Sequence, residues 1–291
     1  MTHRLNLLLL ALALLFGLPY YWLLVHNPAR SIAPQPVHIA DLRRLAASVP
    51  GPAPQAITAT VVAWDRTPGN LLAAGSGLKR RLYTVMSFRL EVPGRGPVVI
   101  DTGTTAALAQ AARTDAFNAH RQRLVEADLR AASLIVPTAE AGESLGGLLT
   151  LGGRPDGAGA LARARLNPHQ APPAATPTVL PGRPQAVAPG VVIAAMAPTP
   201  GSQMVYVRLA GGREYLFAGP VAPYGVNVAE LRTRSRLLDW LDGRQDRAGA
   251  MGWLVTLRQW HREAPGLFVV PAHDVMALID KDNPSGIVIR E

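Results

Sequence analysis

The chain has 291 residues and a net charge of +9, with arginine supplying nearly all the cations. Apolar residues make up 48% and charged residues 17%, a balance that excludes a disordered chain. Cysteine is absent, which excludes disulfides, thiol chemistry and zinc fingers and leaves histidine and carboxylates as the strong metal ligands.

The first element is Leu5–Val25, 21 residues without a charge. As a helix it reaches roughly 30 Å, the thickness of a bilayer core. Tyr20, Tyr21 and Trp22 stand near its far end, as an interfacial aromatic belt would. The run exceeds the usual apolar stretch of a cleaved signal peptide, and "HNPARSIAP" offers a poor cleavage site. Residues 1–30 therefore read as a single-pass membrane anchor. Arg4 and the terminal amine favour a cytoplasmic N-terminus, against Arg30 on the other side, so the remainder is expected to be periplasmic or otherwise extracytoplasmic.

Residues 31–55 read as a linker with one short helix around Ile39–Ser48, and residues 56–291 as the folded domain. Strand signals dominate from Ala56: "AITATVVAW" and "YTVMSFRLEV" alternate, and "PVVID" is a short buried run. Helices are expected over Thr105–Ala112 and Phe117–Ala132, followed by a strand at 134–137. A proline-rich loop then leads to strands "GVVIAAM", "QMVYVRLA" and "EYLFAG". The arginines of "LRTRSRLLDWLDGRQDR" read as a solvated helix face. Because no compact basic run is interleaved with aromatics, no nucleic-acid partner is expected. A helix around Ala248–His261 and a strand "LFVVP" close the order. Strands and helices mix without a regular βαβ period or a phosphate loop.

Five stretches, in this order, resemble the metallo-β-lactamase superfamily, and most of all its lactonase-type hydrolases. "PVVIDTG" is similar to the strand and turn before that family's first helix. "IVPTAEAGESLGGLL" resembles its T-H-x-H-x-D-H-x-G-G-L loop, "APGVVIAAMAPTPGSQMVYVRL" the stretch carrying G-H-T-P-G-S, "EYLFAGPVA" the strand ending in G-D, and "LFVVPAHD" the closing P-x-H-D. The resemblance runs from about Thr58 to Asp280. It implies an α+β fold, a four-layer αββα sandwich behind the N-terminal transmembrane helix. It also implies two zinc ions at one edge of the sandwich, activating a water.

Carried across residue by residue, the loop ligands fall on Ala139, Ala141, Glu143 and Ser144. The later ligands fall on Pro198, Pro220 and His273. Only His273 keeps the family's residue, and Glu143 keeps a carboxylate. These seven are expected as vestigial positions that hold no metal and no catalytic residue, so no cofactor is expected. Asp101 reads as a structural turn residue and Asp274 as a helix cap. His120 reads as exposed; His169 and His261 are the residues that could supply a displaced metal site. Thr138, Thr199 and Ser202 would line the vacated cleft, whereas an adjacent Glu143–Ser144 pair is poorly disposed for nucleophilic catalysis. The expected function is a membrane-anchored protein that has lost metal-dependent hydrolysis and binds a small molecule or a protein partner. The alternative is a hydrolase of esters or lactones with a rearranged site.

Overall fold

Period-two alternation along the strands decides the layering. In the computed structural model, which describes residues 2–172, 177–179, 182–196, 199–242, 245–282 and 284–291, the chain opens with helix α1, His3–Val25. None of its apolar window is buried, and it is long and apolar enough to cross a membrane. Next come α2 (Ile39–Ala46), β1 (Ala56–Pro68), α3 (Gly69–Leu72), β2 (Arg80–Glu91) and β3 (Val98–Ile100). Helices α4 (Ala106–Ala111) and α5 (Ala119–Ala131) flank the short β4 (Ala116–Phe117). Thr105 and Asn118 start these helices by accepting from Leu108 N and Arg121 N.

Then follow β5 (Leu134–Val136), α6 (Gly146–Gly152), α7 (Ala158–Ala162), β6 (Gln185–Ala188), β7 (Val191–Met196), β8 (Gln203–Arg208) and β9 (Glu214–Phe217). The chain continues through α8 (Gly225–Glu230), α9 (Arg236–Asp242), α10 (Arg247–Glu263), β10 (Leu267–Val270), α11 (Val275–Leu278) and β11 (Val288–Arg290).

The strands form two mixed sheets. The first runs β11-β1-β2-β3-β5, with β4 paired to β1; the second runs β10-β9-β8-β7-β6. On β7 and β8, Val191, Ile193, Val205 and Val207 face the first sheet, where Phe88 and Leu90 meet them. Their alternates Val192, Ala194, Met204 and Tyr206 face outward onto α2 and α10. On β1 the inward set Ile57, Ala59 and Val61 gives way to Val62 and Ala63, which face the helical side. A bulge between Val61 and Ala63 causes the switch, since one extra residue inverts the pleat beyond it. Val125, Leu129 and Leu148 cover that outer face. The layers thus run helix, sheet, sheet, helix.

Three sequence expectations need correction. Residues 31–55 are not a free linker: Ile39, Leu42 and Ala46 are buried against the second sheet, and Arg43 holds Glu214 through two bonds of 2.7 and 2.6 Å. A three-position apolar stripe on one helix face buries itself wherever a partner exists. "LFVVP" does not close the order, because β11 adds a parallel strand to β1 with Thr58 opposite Val288. The described arginines of 231–247 are not a solvated face either. Arg234 is buried and paired with Asp239, and Arg247 bonds both Asp239 and the His26 carbonyl.

Candidate functional site

The ends of β3, β5, β9 and β10 meet at one edge of the sandwich. Directly after β3, Asp101 turns the chain with φ 57° and lies buried. Its Oδ1 accepts from Thr138 N at 2.7 Å and from Thr138 Oγ1 at 2.9 Å, which fixes the turn after β5. Burial pushes the Asp101 carboxyl up to about 7, opposed by the hydrogen bonds from Thr138 and Ser144 and assisted by the Glu143 charge. Thr102 N and Oγ1 both donate to the Ser144 carbonyl at 2.9 Å, pinning the far side of the same turn. Gly147 then lies so close that a Cβ there would stand 2.0 Å from the Thr102 oxygen. From the second sheet, Gln203 N donates to the Thr138 oxygen and Gln203 Nε2 to the Pro137 oxygen, both at 2.7 Å.

These ties frame a cleft of about 340 Å³. Of the seven positions inferred from the sequence, Ala139, Ala141, Glu143, Ser144, Pro220 and His273 line it. Pro198 lies outside the described residues. Thr199 and Ser202 also line the cleft, whereas Thr138 lies buried behind its wall. Ser202 is 1% exposed, and its Oγ has no hydrogen-bond partner among the described residues. Asp274 caps α11 by accepting from Ala277 N, and His120 is exposed. His169 is exposed away from the cleft, and His261 lines a different hollow. Among the described residues, no three His, Asp or Glu gather where they could hold a metal.

The residue that the sequence did not single out is Tyr83, on β2. Its hydroxyl lies 2.7 Å from Glu143 Oε1 and 2.9 Å from His273 Nε2. The two rings stack with centroids 4.0 Å apart and planes 19° apart. In that geometry the hydroxyl comes over the imidazole face, not along the in-plane lone pair, so its hydrogen goes to Glu143. Burial and the Glu143 charge push the Tyr83 hydroxyl well above its ordinary value, so it stays protonated. His273 Nδ1 lies 3.0 Å from the Thr84 carbonyl, which only accepts; Nδ1 therefore carries the hydrogen and Nε2 the lone pair. Burial pulls His273 below its ordinary value, against the pull of Glu143 and the Thr84 bond, which favours the neutral ring. Nothing local in "YTVMSFRLEV" marks Tyr83 as a site residue, because its partners lie 60 and 190 positions away.

Searches of protein-family models and of curated proteins find no match for this chain. Solved structures do match. A quorum-quenching N-acyl homoserine lactone lactonase superposes with TM-score 0.59 and 13% identity, over 77% of this chain and 94% of that one. An N-acyl homoserine lactone hydrolase, with N-hexanoyl-L-homoserine at its catalytic metal centre, gives 0.58 and 13% over 77% and 95%. A probable metal-dependent hydrolase from Staphylococcus aureus gives 0.53 and 10% over 77% and 91%. The fold is that of the metallo-β-lactamase superfamily.

The metallo-β-lactamase fold implies zinc at this edge, and the residues present can be tested for it. A catalytic zinc takes three protein ligands and an open position. Ala139, Ala141 and Pro220 carry no side-chain donor, and Ser144 offers a neutral hydroxyl, outside the Cys, His and carboxylate set that zinc sites use. Glu143 and His273 are the strong donors among the described positions of the seven, and Tyr83 contacts both. This donor set does not fit a pair of zinc ions.

Proposed function

We propose that this chain is a membrane-anchored protein of metallo-β-lactamase fold whose cleft binds a small molecule without metal-dependent hydrolysis. One observation carries the reading: the Tyr83 hydroxyl engages both strong donors that remain at the inherited positions, Glu143 and His273. A metal would compete with that phenol for Glu143 and, among the described positions of the seven, would gain two strong side-chain ligands. What is left is a largely apolar hollow with a few hydroxyls, in the size range of small-ligand sites. The anchor reading, with the domain on the extracytoplasmic side, rests on α1 and the charges around it.

The test is elemental analysis of the purified chain after dialysis against a weak chelator. The expected content is well below one zinc, manganese or iron per chain. Stoichiometric metal that disappears in the His273→Ala variant would sink the proposal. Restoring a site should need Ala139→His, Ala141→His, Glu143→Asp, Ser144→His, Pro198→His and Pro220→Asp together.

A second reading, an ester or lactone hydrolase without metal, draws on Ser202 Oγ, without a hydrogen-bond partner among the described residues, in the same cleft as His273, whose Nε2 carries the lone pair beside Tyr83. Hydrolysis of a simple aryl ester, lost in Ser202→Ala while the melting temperature holds, would favour it over binding alone.

A further inference from the structure

The last turn of α1 does not leave the domain on a flexible leash. The Leu24 carbonyl accepts from Gly75 N at 2.9 Å, and Arg247 Nη2 donates to the His26 carbonyl at 2.7 Å. The Arg236 guanidinium lies 4.0 Å from the centre of the Trp22 ring. Helices α3 and α9 pack against Tyr21–Val25 and against each other. Five helical residues rise only about 7 Å. Two pieces of the domain therefore stand level with the aromatic end of the apolar helix.

Those same pieces carry exposed apolar side chains. Trp240 and Leu241 on α9 are 77% and 67% exposed, and Leu78, on the loop from α3 to β2, is 61% exposed. Lys79 and Arg80 follow Leu78 and are exposed too. Bulky apolar tips with flanking cations suit the headgroup boundary of a bilayer, where the apolar parts enter the acyl region and the cations meet phosphate. The cleft adjoins this rim, for Leu71, Leu72, Arg234 and Leu238 of the same pieces line it.

We propose that the α9 rim, with Trp240, Leu241 and Leu78, sits in the lipid surface, so that the cleft draws its ligand from the bilayer. The occupant of the rim is the lipid surface itself, because the adjoining helix is the segment built to enter a bilayer. The ligand class follows: an amphiphile that partitions into membranes. This deepens the binding reading and rests on α1 being a membrane anchor.

Absence of cysteine makes the test clean. Leu78→Cys, Trp240→Cys and Gly211→Cys, each in the full-length chain, are labelled with an environment-sensitive fluorophore and reconstituted into phosphatidylcholine vesicles. Gly211 is exposed at the β8–β9 turn, at the opposite end of the sheet from the cleft, and a side chain there meets open space. Lipids with a nitroxide on the acyl chain are the quencher, and flotation of the vesicles reports insertion. The expected result is flotation of all three, with quenching at 78 and 240 several-fold stronger than at 211. Flotation with all three probes equally unquenched overturns the rim proposal and leaves the anchor standing. Failure to float overturns both. The Leu78 and Trp240 positions are solvent-facing, so the labels report without perturbing the core.

Discussion

Asp101 is the side chain whose protonation state most directly couples the cleft to folding. Its carboxyl ionises near 3.8 when free and at about 7 in the folded chain, because burial disfavours the charge. Between those values the folded state holds a proton that the unfolded state has released. Stability therefore falls as pH rises through that window, by up to about 1.4 kcal/mol per pH unit. His273 works in the opposite sense: its folded value is depressed, so its contribution is lost as pH falls through its ordinary value of 6.5 and below. Below pH 6.5 the two oppose each other. Asp101→Asn removes the first, so the variant's stability should rise more steeply with pH than the parent's as neutrality is approached, with the His273 loss on the acid side exposed. Thermal unfolding of the full chain in mild detergent, from about pH 4 to about pH 8, measures this. Identical profiles for parent and variant would show that Asp101 does not titrate there. The sequence made Asp101 legible as a turn residue from its D-T-G setting. It could not reveal the burial that shifts it, nor Tyr83, whose role exists only once β2 and the β10 end lie side by side.

At the scale of elements, most strands could be read in advance, from alternation or from short runs rich in β-branched residues. Residues 190–196 and 203–210 are apolar almost throughout because both faces are covered, and β7 and β8 fall within them. Two features escaped for physical reasons that can be named: strand β11 and the packing of α2. Strand β11 has three residues, none buried, so it carries no alternation to read. Helix α2 was legible as a helix but not as part of the core, since an amphipathic stripe does not name the surface it covers. That surface includes Tyr206 and Trp260, both buried. The prediction is direct. A chain shortened to begin at His26 should keep most of its stability, losing the Leu24–Gly75 bond and the Trp22–Arg236 contact, whereas one beginning at Ala56 should melt markedly lower or fail to fold. Leu42→Ala in the full chain should cost roughly 2–5 kcal/mol, the range for truncating a buried leucine. Urea midpoints decide it; a loss below about 0.5 kcal/mol would return residues 31–55 to the status of a linker.

For the whole molecule, the superfamily fold followed from five ordered motifs, none of which was sufficient alone. What they could not convey is where the domain sits relative to the apolar helix, since that contact joins residues 24–27 to residues 74–75 and 233–247. Attachment itself is testable without the rim. If burial of α1 holds the chain on membranes, a high-salt wash should release almost none, because hydrophobic insertion is insensitive to screening. Release by salt would assign retention to the arginines instead.

The Asn27 side chain bears on more than attachment. Its amide donates to the Ala74 carbonyl at 2.9 Å, and its oxygen accepts from Thr233 N at 3.0 Å. Further along, Gln35 N donates to Thr256 Oγ1 at 2.7 Å, so the chain after the helix runs along α10. The molecule is thus a mast rather than a tethered balloon. With α1 in a bilayer, as proposed, its remaining freedom would be to spin about the membrane normal and drift in the plane, at one height. A partner embedded in the same membrane would meet it with most of the orientational search already removed, whereas a partner diffusing in three dimensions would gain nothing from that alignment.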